Sequence, residues 1–470
     1  FSNQYLLGSL DTDGTYRPRF IDYQTYLTYS FSSDWEVSFL GNYSQNQYQF
    51  APRSREASFG TVSSAVGLNV FFEGQEVDQY QTAFGALALQ WTPRYNFNLR
   101  LIASAFQTLE EETFDIEAAY SLSELETDLG SESFGDEAFT IGTGSYLNHA
   151  RNYLDALVAS LELQGEYTGD NHKWLWGLKY RRDDIIDKLN EWRLVDSVGY
   201  SVPYTGTDVN LFETIKSDNR IATNRVMGYL QRDWNFDLKN HKLFLSTGAR
   251  FHYWDFNEQT TFSPRFLAAF TPDWNQDWIF RASWGYYHQP AFYREMRDLN
   301  GNVNPAIRAQ KSIHYVLGAD YNFTMLGRPF KFVGEAYYKQ LSEIIPYELD
   351  NVRIRYYATN NAVGFAQGVD LKLNGEFVKG IESWISLSVM QTQEDILDDQ
   401  YDEYTVQLDD TTFKSLKPFG TVLDTTTIYP GYIARPTDQR VNFAMTFQDY
   451  VPGLEQIKAH LSLIFGTGLP

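Results

Sequence analysis

The sequence predicts an all-β fold, a transmembrane antiparallel β-barrel. Three observations point to it. Apolar and polar side chains alternate along many short segments, short turns alternate with longer connections, and aromatic residues make up 17% of the chain. A membrane barrel produces this pattern because every second strand residue faces lipid and the others face the interior.

The clearest segment is residues 312–339, which predicts a β-hairpin with its turn at 324–329. Period-two alternation on both sides of a Gly/Pro-containing break is the usual hairpin signal. The polar face carries His314, Asp320 and Glu335. The apolar face of the first strand carries Ile313, Tyr315, Leu317, Ala319, Tyr321 and Phe323.

The same alternation recurs through the chain and predicts about sixteen strands. The first eight alternating segments are 23–31, 35–39, 87–91, 97–105, 157–167, 174–180, 226–236 and 243–253. The other eight are 266–270, 278–286, 313–323, 330–338, 369–377, 385–389, 441–447 and 459–463.

About eight short turns alternate with seven connections, most of them long, and this is the plan of an outer-membrane barrel. The short turns are expected at 32–34, 93–96, 168–172, between Phe236 and Leu243, at 271–273, 324–329, 379–380 and 452–453. The main long connections are 51–78, 109–150, 182–224, 289–311 and 391–434, of which 109–150 reads as acidic and irregular.

Charged residues in strand interiors support the assignment of the faces. A charge on the lipid side near mid-membrane costs roughly 2–4 kcal/mol. Arg232 is the exception, since it shares parity with Leu230, but it lies near a turn from which a long side chain reaches the interface. The charges on the polar face are Arg100, Glu162, Lys179, Arg250, Arg281, Asp320, Glu335 and Lys372.

Tryptophans beside the short turns predict an aromatic girdle at the membrane interface. A large soluble sandwich or propeller is the alternative, but it gives no reason for this placement. The residues concerned are Trp35, Trp91, Trp174, Trp234 and Trp278.

Composition excludes several classes of protein. A net charge of −22 disfavours nucleic acid as a partner, because phosphate backbones require a basic surface. The chain has no Cys, so it has neither disulfides nor thiolate metal sites. The longest apolar run, residues 83–89, is far shorter than the roughly 20 residues of a membrane-spanning helix.

Chemical motifs are few, and we predict no enzyme activity, no cofactor and no metal site. The seven His have no metal-ligand spacing, and neither a nucleophile elbow nor a phosphate-binding loop occurs. Asp11 to Gly14 resembles the start of a calcium loop but reads better as an ordinary turn. The acidic runs at 110–112 and 395–410 are solvated loop faces or, alternatively, hold divalent cations among lipopolysaccharides.

Several motifs resemble those of TonB-dependent outer-membrane transporters. The central one is a proline-containing loop at 289–297, then Asn304-Pro305 and a polar segment that enters a strand. The usual acid of this motif is replaced by Gln310. Further similar motifs lie at 263–266, 366–370 and 435–440, and those at 146–152 and 188–192 resemble a subgroup that often carries an N-terminal carboxypeptidase-regulatory-like domain.

The resemblance implies a 22-stranded barrel in a bacterial outer membrane, filled by an N-terminal plug that follows a TonB-binding segment. Residues 1–470 then form one barrel segment, in which neither the plug, the TonB box nor the last barrel strands are recognisable. The competing interpretation is a complete sixteen-stranded porin, which requires residues 20–31 to pair with residues 456–470.

The function that we expect is energised uptake of an unidentified ligand. The outer loop residues Tyr293, Arg294, Arg297 and Asp298 are candidates for ligand binding, although they equally suit packing against a neighbouring loop. The implied partners are outer-membrane lipid, lipopolysaccharide and the TonB complex, and a surface lipoprotein is a further candidate. The alternative function is a barrel that serves as a structural platform for surface lipoproteins.

Overall fold

The computed structural model describes residues 14–61, 64–197, 210–350, 353–408, 411–418, 420–451 and 454–469. Within these ranges the regular structure is β-strand, apart from a single 3-10 turn, Tyr293–Met296. No helix in the described ranges is long and apolar enough to cross a bilayer. The predicted all-β class is therefore confirmed.

The strands follow one another along the whole described chain. The first eight are β1 (Gly14–Ser30), β2 (Trp35–Pro52), β3 (Arg55–Thr61), β4 (Ser64–Arg94), β5 (Phe97–Leu125), β6 (Glu137–Thr168), β7 (His172–Ser197) and β8 (Asn210–Leu238). The next eight are β9 (His241–Trp254), β10 (Gln259–Thr271), β11 (Asp277–Gln289), β12 (Gln310–Met325), β13 (Arg328–Ile344), β14 (Tyr347–Asp350), β15 (Arg353–Tyr356) and β16 (Ala362–Val378). The last seven are β17 (Ile381–Ile396), β18 (Tyr401–Leu408), β19 (Thr411–Ser415), β20 (Thr421–Ile428), β21 (Ile433–Ala434), β22 (Val441–Val451) and β23 (Leu454–Gly466).

Sixteen strands form one antiparallel wall, as the alternation predicts. Eighteen strands share a sheet, and two of them, the short β3 and β21, pair only near a long connection. The other sixteen are joined by fifteen ladders, each between wall strands that follow one another along the chain. Seven of the eight predicted short turns join neighbouring wall strands, and the eighth, at 452–453, lies outside the described residues.

The prediction of an irregular connection at 109–150 is wrong. Strands β5 and β6 pair from Phe97↔Tyr167 to Leu125↔Glu137, so that only residues 126–136 connect them. Beyond the membrane neither face of a ribbon meets lipid, which removes the apolar alternation, whereas the backbone ladder persists without it. The connections expected at 51–78 and 182–224 are largely strand for the same reason.

These extensions rise well above the rest of the wall. Strands β4 to β8 have 31, 29, 32, 26 and 29 residues, whereas β9 and β10 have 14 and 13. A membrane crossing needs only about 9–11 residues. We call the excess the outer ribbons, which comprise residues 64–80, 108–125, 137–154, 183–197 and 210–223.

The two faces of the wall have opposite chemistry. Leu161 and Leu317 point outward and are 50% and 67% exposed, respectively, so the protein itself leaves them uncovered. On the opposite face, the Glu162 and Lys179 side chains form an ion pair of 3.1 Å. Asp320 accepts from Arg281 at 2.7 Å. Apolar outside and charged inside is the arrangement that a lipid-facing wall requires.

Aromatic side chains gather near the short turns. Trp35 stacks on Trp91 with ring centroids 5.7 Å apart, and Trp278 stacks on Tyr321 at 4.3 Å. The cation of Arg232 lies over the ring of Trp174 at 4.7 Å and over that of Trp234 at 4.9 Å. The outward parity of Arg232 is thus accommodated by cation–π contacts within the girdle.

The two ends of the wall do not meet in the described residues. No ladder joins β1 to β23, and the pairing of residues 20–31 with 456–469 that the porin alternative requires is absent from the described ladders. The described side chains of β23 are all exposed, and so are most of those of β1.

Candidate functional site

The mouth of the wall is covered by two loops at the end where the outer ribbons lie. We call them together the cap, which comprises residues 290–309, 345–350 and 353–361. Asn304 Nδ2 donates to the Ala358 carbonyl oxygen at 2.8 Å, so the two loops are held to each other. The first loop contains the 3-10 turn, and the second contains the β14–β15 hairpin.

An apolar cluster of buried side chains packs the cap against the wall. Trp254 is 1% exposed, Met296 2% and Ile307 0%, and all three belong to one cluster of buried side chains. The indole Nε1 of Trp254 donates to Thr223 Oγ1 at 2.7 Å, so its polar atom is also satisfied. Burying side chains of this size stabilises the cap by about 1.5–3 kcal/mol each.

Gln310, where the motif usually has an acid, links the two loops. Its Nε2 donates to Glu295 Oε1 at 3.1 Å, and its Oε1 accepts from the Ile345 backbone N–H at 3.3 Å. An amide both donates and accepts, whereas a carboxylate only accepts and would repel Glu295. The glutamine therefore suits the position better than the usual acid.

Tyr293 lies beneath the cap and packs against the apolar cluster. Burial, together with the nearby Asp187 carboxylate, raises the pKa of the Tyr293 hydroxyl well above its usual value. The ring therefore stays neutral under physiological conditions and forms part of the cavity lining below the cap.

Arg297 anchors the cap to an outer ribbon. Its Nη1 donates to both carboxylate oxygens of Asp187, each at 3.1 Å, and Asp187 is only 4% exposed. The neighbouring Asp298 shapes the loop, since its Oδ1 accepts from the backbone N–H groups of Asn300 and Asn302 at 2.9 and 2.8 Å.

Arg294 remains more accessible than the other candidates. Its Nη2 donates to Glu110 Oε2 at 3.1 Å, yet its side chain is 68% exposed. A guanidinium in this position presents further N–H groups to the outside. Of the four residues proposed from the sequence, Arg294 is the one best placed to contact a ligand at the surface.

The second loop of the cap is held by two more arginines. Arg353 donates to Glu112 and lies 3.7 Å from Glu191. Arg355 donates to Glu213 at 2.9 Å. Four of the five arginines of the cap thus bind acids on the ribbons of β5, β7 and β8. Sequence reasoning named the acids at 110–112 only as part of an acidic run and did not predict that any of these acids pairs with the cap. The inward parity of β7, which continues to Asp187 and Glu191, is a signal that could have indicated it.

Three carboxylates meet below the second loop on β4 and β5. Ligand atoms of Glu76, Asp78 and Glu112 lie within 4.8 Å of one another, beside Arg353. Burial, with the repulsion of Glu76 and Glu112, raises the pKa of Asp78 to about 7. This cluster is consequently sensitive to protonation near neutral pH.

The acidic run 110–112 does not face outward as a unit. Glu110 and Glu112 point into the mouth, where they pair with Arg294 and Arg353. Contact with lipopolysaccharide through divalent cations stays a prediction for the remaining loop acids. Of the calcium-like motif 11–14, residues 11–13 lie outside the described residues.

A cavity of about 810 Å³ lies between the cap and the inner faces of β6 to β11. Pockets that bind small molecules usually measure about 300–1,000 Å³. Tyr293 and Met296 line it from above, whereas Tyr229 and Arg250 line it from the wall. The cap and the wall therefore enclose a space of a size suited to a ligand.

Comparisons with known proteins agree with this architecture. The family model described as "TonB dependent receptor-like, beta-barrel" matches residues 38–450. No curated protein matches the chain.

Three solved structures to which this chain is similar each share 10% sequence identity with it. The RagAB peptide transporter has a TM-score of 0.46, with 96% of this chain and 61% of that chain covered. The outer membrane transporter YddB from Escherichia coli has a TM-score of 0.42, with 96% of this chain and 68% of the transporter chain covered. A mutant of the ferric enterobactin receptor PfeA from Pseudomonas aeruginosa has a TM-score of 0.43, with 93% of this chain and 71% of the receptor chain covered. This chain thus spans about three fifths of the length of the RagAB transporter chain.

Proposed function

The chain belongs to the TonB-dependent receptor β-barrel family, and from that premise we propose that it forms the wall of a transporter that imports a ligand across a bacterial outer membrane. The observation that carries the proposal is the combination of a lipid-suited outer face with a capped, charged interior. Such a wall separates two aqueous compartments, and the cap decides what enters.

Ligand capture begins at the mouth. Arg294 is the most exposed cation of the cap, and the cavity lies directly below the 3-10 turn. A ligand that contacts the cap first and then enters the cavity has lost most of its hydration before it moves further. The arginine anchors on the outer ribbons hold the cap in place until the ligand arrives.

Energy for uptake comes from outside this chain. We propose that a plug fills the interior of the complete barrel and that the TonB complex pulls on it from the periplasm. The arrangement performs binding and translocation and breaks no covalent bond. A surface lipoprotein that covers the mouth is a further proposed partner.

The proposal is tested by comparing four strains of the bacterium that makes this protein: wild type, a strain lacking the protein, that strain complemented with the full-length protein, and a complemented strain lacking TonB. Mass spectrometry of spent medium then shows which compounds each strain removes. We expect at least one compound to be removed only when both the full-length protein and TonB are present.

The platform alternative gives a different result in the same strains. Identical removal of compounds by all four strains contradicts energised uptake. If a lipoprotein complex also co-purifies with the barrel unchanged after deletion of the plug and the TonB-binding segment, the barrel is a scaffold.

A further inference from the structure

The cavity below the cap is positively charged, although the whole chain carries a net charge of −22. Five cationic side chains and two carboxylates line it. An excess of one sign in an enclosed cleft with low-dielectric walls attracts ions of the opposite sign strongly. The cations are Lys179, Arg181, Arg225, Arg250 and Arg265, and the carboxylates are Glu162 and Asp183.

Three of the cations are held by the two carboxylates. Lys179 pairs with Glu162 at 3.1 Å. Asp183, which is 1% exposed, lies 2.5 Å from Arg181 Nε and 3.1 Å from Arg225 Nε. Because both carboxylates are engaged in this way, they leave the remaining two arginines without an acidic partner in the cavity.

Arg250 and Arg265 form no ion pair and no side-chain hydrogen bond with any described residue. They lie on neighbouring strands, β9 and β10, where the cross-strand partner of Arg250 is Ser263, two residues before Arg265. Such diagonal neighbours are about 7–8 Å apart at their backbones. Two unneutralised guanidinium groups therefore share one face of the cavity.

Aromatic rings hold the two arginines in place without neutralising them. The Arg265 Cζ lies 4.1 Å from the ring centre of Tyr287, and the Arg250 Cζ lies 6.0 Å from that of Tyr229. The Nε of Arg265 is buried and has no partner among the described atoms. A stacked guanidinium keeps its N–H edge available, and that edge matches the oxygens of a carboxylate or phosphate.

We propose that the cavity is a binding site for an organic oxyanion, with its carboxylate or phosphate group held between Arg250 and Arg265. The proposal rests on the proposed transport function and names the substrate class of that function. The carbon skeleton of the ligand packs on Met227 and Tyr229, which line the same cavity. A volume of about 810 Å³ admits a small organic molecule and excludes a folded domain.

The test measures binding of defined anions to the purified full-length protein in detergent. Isothermal titration calorimetry uses citrate as the carboxylate probe, inorganic phosphate as the phosphate probe and glucose as the uncharged control. We expect saturable binding of citrate or phosphate that weakens as NaCl is raised, and none of glucose. The anion that binds more tightly identifies the oxyanion.

Variants locate the site. Each of Arg250→Gln and Arg265→Gln weakens binding by about tenfold, and the double variant weakens it by about a hundredfold. Arg265→Lys retains the charge and recovers part of the loss. The matched control is Lys372→Gln, since Lys372 is an interior cation that stacks on Trp384 outside the cavity. It leaves the affinity within about twofold.

Three results overturn the proposal: no saturable binding of either anion at millimolar concentration, equal affinity in the double variant, or equal binding of glucose. A plug carboxylate that already occupies the two arginines gives the first result, together with a lower melting temperature in the variants. Binding in detergent requires neither TonB nor uptake, so its failure is distinct from failure of the transport experiment.

Discussion

Arg297 in the cap donates from one nitrogen to both carboxylate oxygens of Asp187 in the β7 ribbon, at 3.1 Å each. The two residues are 110 positions apart in the chain. Asp187 is almost fully buried, so the pair is shielded from solvent and salt. This contact joins the loop that covers the mouth to the wall that surrounds it.

Breaking this pair should loosen the cap. In Arg297→Gln the buried carboxylate loses its cation, which costs about 3 kcal/mol of the free energy of opening the loop. Hydrogen exchange of residues 290–309 should accelerate by about a hundredfold, whereas the β12–β13 ladder keeps its protection. The matched control is Arg308→Gln, because Arg308 is 60% exposed and lies 3.8 Å from Glu343. Equal acceleration in both variants would contradict an anchoring role for Asp187.

The outer ribbon of β4 and β5 should become less stable as the pH rises from 4 to 7. The pKa of Asp78 is about 7 in the fold, against 3.8 when unperturbed, so the folded state holds a proton that the unfolded state has already released. The contribution of Asp78 to the stability of the ribbon is then greatest below pH 4 and is lost as the pH rises through 7. Hydrogen exchange of residues 70–80 at pH 5 and pH 8 measures the effect.

Asp78→Asn should remove that pH dependence, since an amide does not titrate. Asp218→Asn is the control, because Asp218 is an exposed carboxylate on another ribbon, 53% accessible at its side chain. A pH dependence that persists in Asp78→Asn assigns the effect to other groups, of which Glu76 is the first to examine.

A charge on the outer face of β6 should destabilise the barrel in a bilayer. Leu161→Arg places a cation in lipid near mid-membrane, and the free energy of unfolding should fall by about 2–4 kcal/mol. Gln164 on the same strand points inward beside Glu162, so Gln164→Arg should change the free energy of unfolding by less than about 1 kcal/mol. Urea titration of the full-length protein in lipid vesicles distinguishes the two. The assigned faces would be reversed if Gln164→Arg proved the more harmful.

Gly74 should not tolerate a side chain. Its φ is +99°, and a Cβ there would lie 1.9 Å from the carbonyl oxygen of Asp115 on the paired strand. Gly74→Ala should therefore destabilise the ribbon by roughly 1–3 kcal/mol. Gly85→Ala on the same strand meets only Phe39 at 4.0 Å and should be neutral. Equal exchange rates of residues 70–80 in the two variants would argue against the strained turn of the backbone at Gly74.

The alternation of apolar and polar residues within single segments was sufficient to predict the strands of the wall. The segments 157–167 and 174–180 alternate, with Val158 and Leu175 as apolar exceptions, because each residue faces either hydrocarbon or the interior. That constraint acts on every strand separately. The same pattern fails at 109–150, where neither face meets hydrocarbon and the backbone ladder continues with no apolar signal. Strand length beyond the membrane is therefore set by pairing with a neighbour, which a single segment does not reveal.

The sequence predicted only part of the candidate site. The motif around residues 289–312 identified the loop that bears Tyr293, Arg294, Arg297 and Asp298, and these residues do lie together at the mouth. Their ligand-binding role stays a prediction. Their partners Glu110 and Asp187 lie on other strands, 184 and 110 residues away from Arg294 and Arg297, respectively.

The sequence by itself determined the number of wall strands, the short turns and the choice of face, because the solvent on each side of the wall selects residues one strand at a time. Only the tertiary structure decided which charges neutralise one another. Arg181 and Arg225 share Asp183, whereas Arg250 and Arg265 face the cavity without a described acidic partner. Pairing depends on distances across the barrel interior, and strands that are remote in sequence set those distances.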